Sequence, residues 1–597
     1  MRELTSVLVL RHVESTFFLD HYSRPHEASI VPLMSGPARA RISGKGGRRV
    51  PWITLVFVSI VAQLAWMDAT VGTYDEGLVL VGADRVLRGE MPYRDFWTFY
   101  GPGSYYLLAG LYRVFGEFAL VERGLDVAAK TAIATLVVAL VLQFGRRTVA
   151  LAAGVLSLGL LLYLRSYSAP LFPAMAASLA TVLTLHRASI DARPTPAFLA
   201  GVALAFTTCF RHDLGAYTLL AAGAFMIWLA WDASTGPPRR RVLATVGWVA
   251  VGYAITLGPV VAYFAFNVPA AELYRDLVDV PFSVYPQVRA LPFPSIVDAL
   301  SSAVQSRSPA KLGPLVVYLP LVVMGGAVAT ELLPRGSPRV TGTSDAGAED
   351  ARARNRLFGL LVLLGALFFL KGLVRVSPLQ MGASLILSVA VLGAAIGRAR
   401  NPAWRLFLAS TAGLACVALL AKPIITAMER SAGGTATAAL LSARWMSHAT
   451  ALCSQPVVPR LRCLRLEPDT SAVAAYLLQH GASGQRVYVG LGRHDKIHAA
   501  NLALTFGAAV VAPTRWHDLH PGVQTRADVQ AQMIRELSAE PLAYVVLDRQ
   551  WDDVSEPNES AHSSGVTALD DYLAAHFAPV FRAGSLTVLE SRERPVP

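Results

Sequence analysis

Charge is scarce in this chain of 597 residues: Asp, Glu, Lys and Arg make up 16% of it, where soluble domains carry about 25%. With 54% hydrophobic residues and a mean hydropathy of +0.45, that scarcity excludes a soluble protein. Cysteine is rarer still. Of the four, Cys209 and Cys416 fall in apolar runs and read as small core residues. Cys453 and Cys463 lie in the polar C-terminal part and are candidates to pair if that part is outside the cytoplasm. Also missing are a phosphate-cradling P-loop, a Ser-His-Asp hydrolase elbow and a zinc-protease helix. The formal net charge of +12 does not call for nucleic acid. The arginines gather in short loops between apolar runs, where they set membrane orientation.

What the chain does have is a series of apolar runs near the length of a membrane span, about 17–25 residues. The first 49 residues are polar and basic, with one apolar patch too short for a secretory leader; they read as a disordered cytoplasmic extension, 1–49. KGGRR at 45–49 directly precedes the first run, 51–66, which puts the N-terminus inside. Alternation through 125–144, 149–164, 171–185, 196–210, 214–231, 242–266, 314–333, 357–370, 379–396 and 406–420 then gives about eleven spans and leaves the C-terminus outside. The run at 103–115 is short, interrupted by Arg113 and rich in Tyr, so it reads as a helix lying along the membrane surface within an outer loop, 68–124. A second outer loop covers 267–312, and the polar stretch 334–356 reads as a flexible cytoplasmic linker within the bundle of residues 50–425. From 430 to 597, strands at 486–490, 508–513 and 544–548 alternate with helices ending at Gly481 and covering 525–537. The fold class is mainly α: a polytopic transmembrane helical bundle with a C-terminal extracytoplasmic α/β domain, in the plasma (inner) membrane of the cell.

Just past the first span stands TYDEG at 73–77. Carboxylates beside hydrocarbon are costly and usually face a water-filled cavity, although the plain alternative is that the pair marks where a helix leaves the bilayer. The loop continues GEMPYRDFWTFYGPGSYYLLAGLYRVFG, with Arg123 before the next span. An Asp-Glu pair at the exit of the first span, then PYRDF and a Pro-Gly turn, resembles the bacterial branch of the GT-C glycosyltransferase superfamily. It is most similar in style to family 39-like enzymes, such as protein O-mannosyltransferases and the lipid A aminoarabinose transferase. The resemblance covers about residues 51–425. It implies transfer of a sugar, with inversion, from a polyprenyl-phosphate carrier to an acceptor on the outer face. The implied partners are that donor, an acceptor of unknown kind (protein, lipid or glycan) and membrane lipids, with no nucleic acid.

On that resemblance Asp75 takes the position of the base, and Glu76 assists it, orients the acceptor or is itself the base. Burial near the interface raises such a carboxylate toward the operating pH. A phosphate leaving group needs fixed cations more than a strong acid. The topology offers Arg211 and His212 at one outer span end and Lys371 and Arg375 at another, while Arg123 matches the family's arginine before the second span, holding Asp75 or contacting phosphate. Snorkelling to lipid headgroups is the plainer role for each of these cations. Many family members carry Arg-x-Asp-x-x-His in the late outer loop; here Arg375 is followed by Ser377 and Gln380, so the acid is absent or moved, and donor identity is what that puts in question. Gln380 can still hydrogen-bond a sugar hydroxyl. Arg94, Asp95, Tyr100 and Arg289 are further candidates to line the sugar and acceptor sites, with interfacial anchoring the simpler role for Tyr100.

His494 and His498 have ligand spacing if their stretch is helical, but no third ligand is fixed by spacing. No metal site is assigned, and a divalent cation as cofactor stays open. WHDLHPG at 516–522 reads, with the histidines, as loops covering the mouth of the membrane cavity. Two other functions compete: a transporter or flippase, which is expected to show paired repeats with broken helices at mid-membrane, and a non-catalytic envelope scaffold.

Overall fold

The computed structural model describes residues 50–164, 166, 167, 170–191, 193–231, 238–306, 309–332, 345–399, 405, 406, 410, 413 and 458–592. The expected N-terminal extension, most of the span at 406–420, and Cys416 and Cys453 lie outside them. Cys463 is disulfide-bonded and Cys209 is free.

The membrane part begins with α1 (Trp52–Ala65), α2 (Asp75–Leu87), α3 (Gly103–Phe115), α4 (Ala119–Leu142), α5 (Arg147–Leu164), α6 (Leu171–Ile190), α7 (Pro194–Phe210), α8 (His212–Trp231) and α9 (Arg239–Asn267). It continues with the short α10 (Ala270–Tyr274) and α11 (Tyr285–Arg289), then α12 (Ile296–Gln305), α13 (Leu319–Leu332), α14 (Asp345–Gly372) and α15 (Gly382–Arg398). Among the described residues seven helical stretches are long and apolar enough to cross a membrane, and α1, α7 and α15 are apolar but shorter. The chain is a multi-pass membrane protein. Each of these ten coincides with an expected span.

Two expectations change. The polar linker at 334–356 is helical from Asp345, where α14 begins; its EDARARNR stretch is polar but built of good helix formers. The loop 68–124, in which only 103–115 is expected to be helical, also contains α2, with two acids in its first turn and Arg85 in its last, the arrangement the helix dipole favours. On α2 packs one face of α3, through Tyr105, Leu108 and Tyr112, while Val114 and Phe115 stay exposed.

The C-terminal domain runs α16 (Pro468–Gln479), β1 (Val487–Leu491), α17 (Leu502–Gly507), α18 (Ala527–Ser538), β2 (Tyr544–Asp548), α19 (Ala568–His576), β3 (Phe577–Ala583) and β4 (Leu586–Ser591). Its sheet order is β1-β2-β4-β3, with β1 parallel to β2 and β4 antiparallel to both of its neighbours. The strand expected at 508–513 shrinks to one bridge between Arg486 and Val511, because Ala509 adopts a positive φ of 54° that breaks the extension.

One hydrophobic core joins this domain to the loop 68–124: Phe96, Trp97 and Tyr105 share it with Leu502, Phe506 and Trp516. Backbone bonds stitch the two together, from Val71 to the Arg465 carbonyl (2.8 Å), from Arg465 to the Ala69 carbonyl (2.8 Å) and from Trp97 to the Arg515 carbonyl (2.9 Å). At Gly77 a Cβ would stand 2.6 Å from the Ala503 nitrogen, so α2 touches α17 backbone to backbone only because residue 77 has no side chain.

Candidate active site

A cavity of about 130 Å3 lies where the α7–α8 turn, the end of α14 and the loops 68–124 and 267–312 meet. Its walls include Tyr100 and Gly101, then Arg211, His212 and Asp213, then Phe282 and Tyr285, and finally Lys371, Arg375 and Gln380. Local chain geometry sets these walls. At Gly101 a Cβ would fall 2.3 Å from the Cys209 carbonyl oxygen, so the Pro-Gly turn rests directly on the end of α7. That contact puts Tyr100 over Arg211, whose guanidinium is 5.7 Å from the ring centroid. On the opposite wall Arg275–Val284 runs as a π-helix with Pro281 inside it, and leads Phe282 and Tyr285 to the cavity. Such widened turns recur at functional sites.

The cations are arranged around acids. Arg211 donates to both Asp213 oxygens, from Nε (3.0 Å) and Nη2 (2.7 Å). Lys371 Nζ stands 3.7 Å from the same carboxylate. Asp213 therefore draws positive groups from two helices to one wall. Arg375 forks onto Glu556 at 2.8 and 2.5 Å, and Arg289 adds a bond of 3.2 Å. Burial pushes the Glu556 carboxyl up, but hydrogen bonds from Arg375 and Asn558 outweigh it and hold its pKa down to about 2.

The Asp-Glu pair at the start of α2 divides, because neighbours on a helix point about 100° apart. Glu76 turns inward and is 2% exposed. It accepts from Arg123 Nε (2.6 Å) and Nη2 (2.8 Å) and from the Gly72 N–H (2.7 Å). Arg123 is fully buried, bonds the carbonyls of Asp68 (2.8 Å) and Thr70 (3.0 Å), and lies 3.5 Å from the Tyr167 ring centroid. This is a structural ion pair. It corrects two expectations, since Glu76 is closed to an acceptor and Arg123 holds Glu76, not Asp75 or a phosphate.

Asp75 turns the other way. Its side chain is open to solvent and takes no hydrogen bond among the described residues, yet protein encloses it closely enough to matter electrostatically. The opening decides that a hydroxyl can reach it; the enclosure decides its acidity. Burial raises its pKa above the ordinary aspartate value, and Arg289, then Arg375, pull it partly back. Asp75 is not itself in the cavity wall. Shared neighbours link the two: Tyr100 senses both Arg211 and Asp75, and Tyr285 senses Arg375, Arg289, Arg211 and Asp75. Tyr74 donates to Asp518 (2.7 Å), a carboxyl of the C-terminal domain that burial, against this hydrogen bond, lifts to about 7.

Arg211, His212, Lys371, Arg375, Tyr100 and Gln380 thus gather at one cavity, with Arg289 behind Arg375. Arg94 and Asp95 do not join them. They pair with each other at 2.9 and 2.7 Å, and Asp95 takes the Met91 N–H, so they fix their own loop and not a sugar site. His494 is fully buried, with Nδ1 2.7 Å from Asp570 and Nε2 2.7 Å from the Tyr488 hydroxyl, whereas His498 faces Trp551. Among the described residues no three His, Cys, Asp or Glu side chains converge as metal ligands. Sequence reasoning passed over Asp213, Tyr285 and Glu556, and took Asp518 only as part of a loop covering the cavity mouth. Asp213 had a signal, two residues after Arg211 at a span end; Glu556, in a polar loop beyond β2, had none.

No protein-family model matches the chain, and no curated protein matches it in sequence. Solved structures do match. ArnT from Cupriavidus metallidurans is similar over 90% of this chain and 97% of its own, with a TM-score of 0.50 and 12% identity. The chain has the GT-C fold. An oligosaccharyltransferase from Archaeoglobus fulgidus is similar over 84% of this chain and 70% of its own, with a TM-score of 0.45 and 12% identity. The protein O-mannosyltransferase complex Pmt1-Pmt2 of S. cerevisiae, bound to its sugar donor, is similar over 37% of this chain and 34% of its own, with a TM-score of 0.32 and 16% identity. This chain spans about a third of the length of that last relative. The GT-C fold accounts for the mainly helical membrane bundle with a small C-terminal sheet that the sequence led us to expect.

Proposed function

We propose that the protein is an inverting glycosyltransferase that moves a sugar from a polyprenyl-phosphate carrier to an acceptor hydroxyl on the outer face of the membrane. One observation carries this reading: Asp75, an open carboxylate without a hydrogen-bond partner among the described residues, feels the charge of Arg289 and Arg375, and Arg375 lines a cavity walled also by Arg211 and Lys371. The acceptor oxygen attacks the anomeric carbon while its proton passes to Asp75. The anomeric carbon–oxygen bond to phosphate breaks, and polyprenyl phosphate departs with the electron pair. Attack opposite the leaving phosphate inverts the centre. A base whose pKa lies above that of an ordinary aspartate suits the proton transfer, and fixed cations stabilise the leaving phosphate as its charge grows. Arg375 presents a planar fork matched to phosphate oxygens, while Arg211, whose own fork is held by Asp213, and Lys371 add fixed positive charge. Tyr100 and Gln380 border the sugar. The GT-C fold, shared by membrane glycosyltransferases, supports the reaction class; the donor and the outer-face location rest on the site chemistry and on the arginine pattern of the loops.

The test uses full-length protein in lipid nanodiscs with a polyprenyl-phosphate sugar and candidate protein, lipid and glycan acceptors. The expected result is release of polyprenyl phosphate with an inverted glycosidic product, and a raised donor KM in Lys371→Ala. Intact donor under all acceptors refutes the reading.

A further inference from the structure

We propose that the Glu556 carboxylate is a built-in stand-in for the donor phosphate, an anion tethered to the C-terminal domain that fills the Arg289–Arg375 fork of the empty enzyme and leaves when the lipid phosphate arrives. This rests on the donor site proposed above.

The fork is made for an anion with two oxygens. Glu556 Oε2 accepts from Arg375 Nη1 (2.8 Å), Arg289 Nη1 (3.2 Å) and Asn558 Nδ2 (3.0 Å), and Oε1 accepts from Arg375 Nη2 (2.5 Å). A guanidinium grips a carboxylate and a phosphate through the same pair of parallel bonds, so one can replace the other without rebuilding the donor. Arg375 lines the cavity, and its two terminal nitrogens are both occupied by Glu556.

Asp213, the other acid of the site, is different. It sits in the first turn of α8, beside the arginine it binds, and cannot withdraw. Glu556 ends a stretch, 554–556, with neither helix nor strand, between β2 and the 3-10 turn Glu559–Ala561. Its neighbours Asp553, Ser555 and Pro557 are exposed, so rotation of this stretch removes the carboxylate without disturbing the sheet.

The fork stays aimed after Glu556 leaves. Arg289 keeps its bond to the His498 carbonyl (2.8 Å), and Arg375 keeps its bond to the Arg289 carbonyl (2.9 Å). The stand-in also protects the base. Arg289 and Arg375 are the cations acting on Asp75, and with no counter-anion between them they would bind it. Glu556 satisfies them until the phosphate takes over, which leaves Asp75 free for the acceptor proton.

The experiment titrates the full-length protein in nanodiscs with polyprenyl monophosphate alone, reading binding together with hydrogen exchange across residues 549–558. Ligand is expected to raise exchange in that stretch. Glu556→Gln is expected to raise exchange without ligand and to tighten binding about tenfold, because a tethered competitor is removed. Greater protection of the stretch on binding, or unchanged or weaker binding by Glu556→Gln, overturns the proposal and leaves Glu556 as a holder of the arginines. If the parent binds and the variant gains nothing, only the stand-in fails. If neither binds, the donor site fails and takes this inference with it.

Discussion

Replacing Asp75 by Asn separates catalysis from folding, and replacing its neighbour Glu76 by Gln does the reverse. Asp75 has an open carboxylate with no hydrogen bond to lose among the described residues. Its charge sits in the first turn of α2, where the helix dipole favours a negative group by about 0.3–1 kcal/mol, and removing the burial penalty offsets part of that. The fold should therefore hardly notice Asp75→Asn. The reaction should. A positioned general base contributes about 10²–10⁴ in rate, roughly 3–5 kcal/mol of barrier. Glu76→Gln leaves Arg123 buried without a counter-charge, and breaking a buried pair in this way costs about 3–5 kcal/mol of stability. Thermal unfolding and initial rates of sugar transfer on the same nanodisc preparations read both effects. Asp75→Asn should keep the parental unfolding midpoint with a rate lowered at least about a hundredfold. Glu76→Gln should unfold well below the parent. Transfer at the parental rate by Asp75→Asn would remove it as the base, and an unfolding midpoint in Asp75→Asn as low as that of Glu76→Gln would show that the two acids had been assigned the wrong roles.

The proposed base also sets an expected pH dependence. Asp75 must be ionised to accept a proton, so kcat/KM falls as pH drops through its raised pKa, and the acid limb lies above the ordinary aspartate value of about 3.9. Arg375 lowers that pKa, so Arg375→Gln should move the limb to higher pH, and a limb that stays in place argues against their coupling. Asp518 governs stability instead. Unfolded, it ionises near about 3.9; folded, at about 7. Its contribution is thus full below the unfolded value and is lost as pH rises toward the folded one, and Asp518→Asn should flatten that part of a plot of unfolding midpoint against pH. Gly101→Ala should push the Pro-Gly turn off the end of α7 and raise the donor KM with little change in the far-ultraviolet dichroism; an unaltered KM would show that the close approach to Cys209 is not needed.

The spans were legible because a bilayer imposes one length and one polarity on every crossing, and because clustered arginines mark the turns. Arg211, Lys371 and Arg375 could be picked out for a related reason, as charge next to an apolar run stands out. The division of labour between Asp75 and Glu76 could not. It depends on the helical phase of α2, and that helix was hidden in a segment that reads as a loop. Arg123 was assigned to the wrong acid for the same cause. Glu556 left no trace, because it meets Arg375 across 181 residues and no local pattern encodes such a meeting. The hairpin of β3 and β4 also went unread: β3 buries only Phe577 fully, so its alternation is faint.

Tyr74 and Asp518 lie 444 residues apart in the chain, yet the loop of one and the domain of the other close over a single core. During synthesis the loop bearing Asp75 leaves the ribosome early and its support arrives late. Contacts so distant are the slowest to form. The core that holds the loop of Tyr74 and Asp75 is therefore completed only after the last part of the chain has been made.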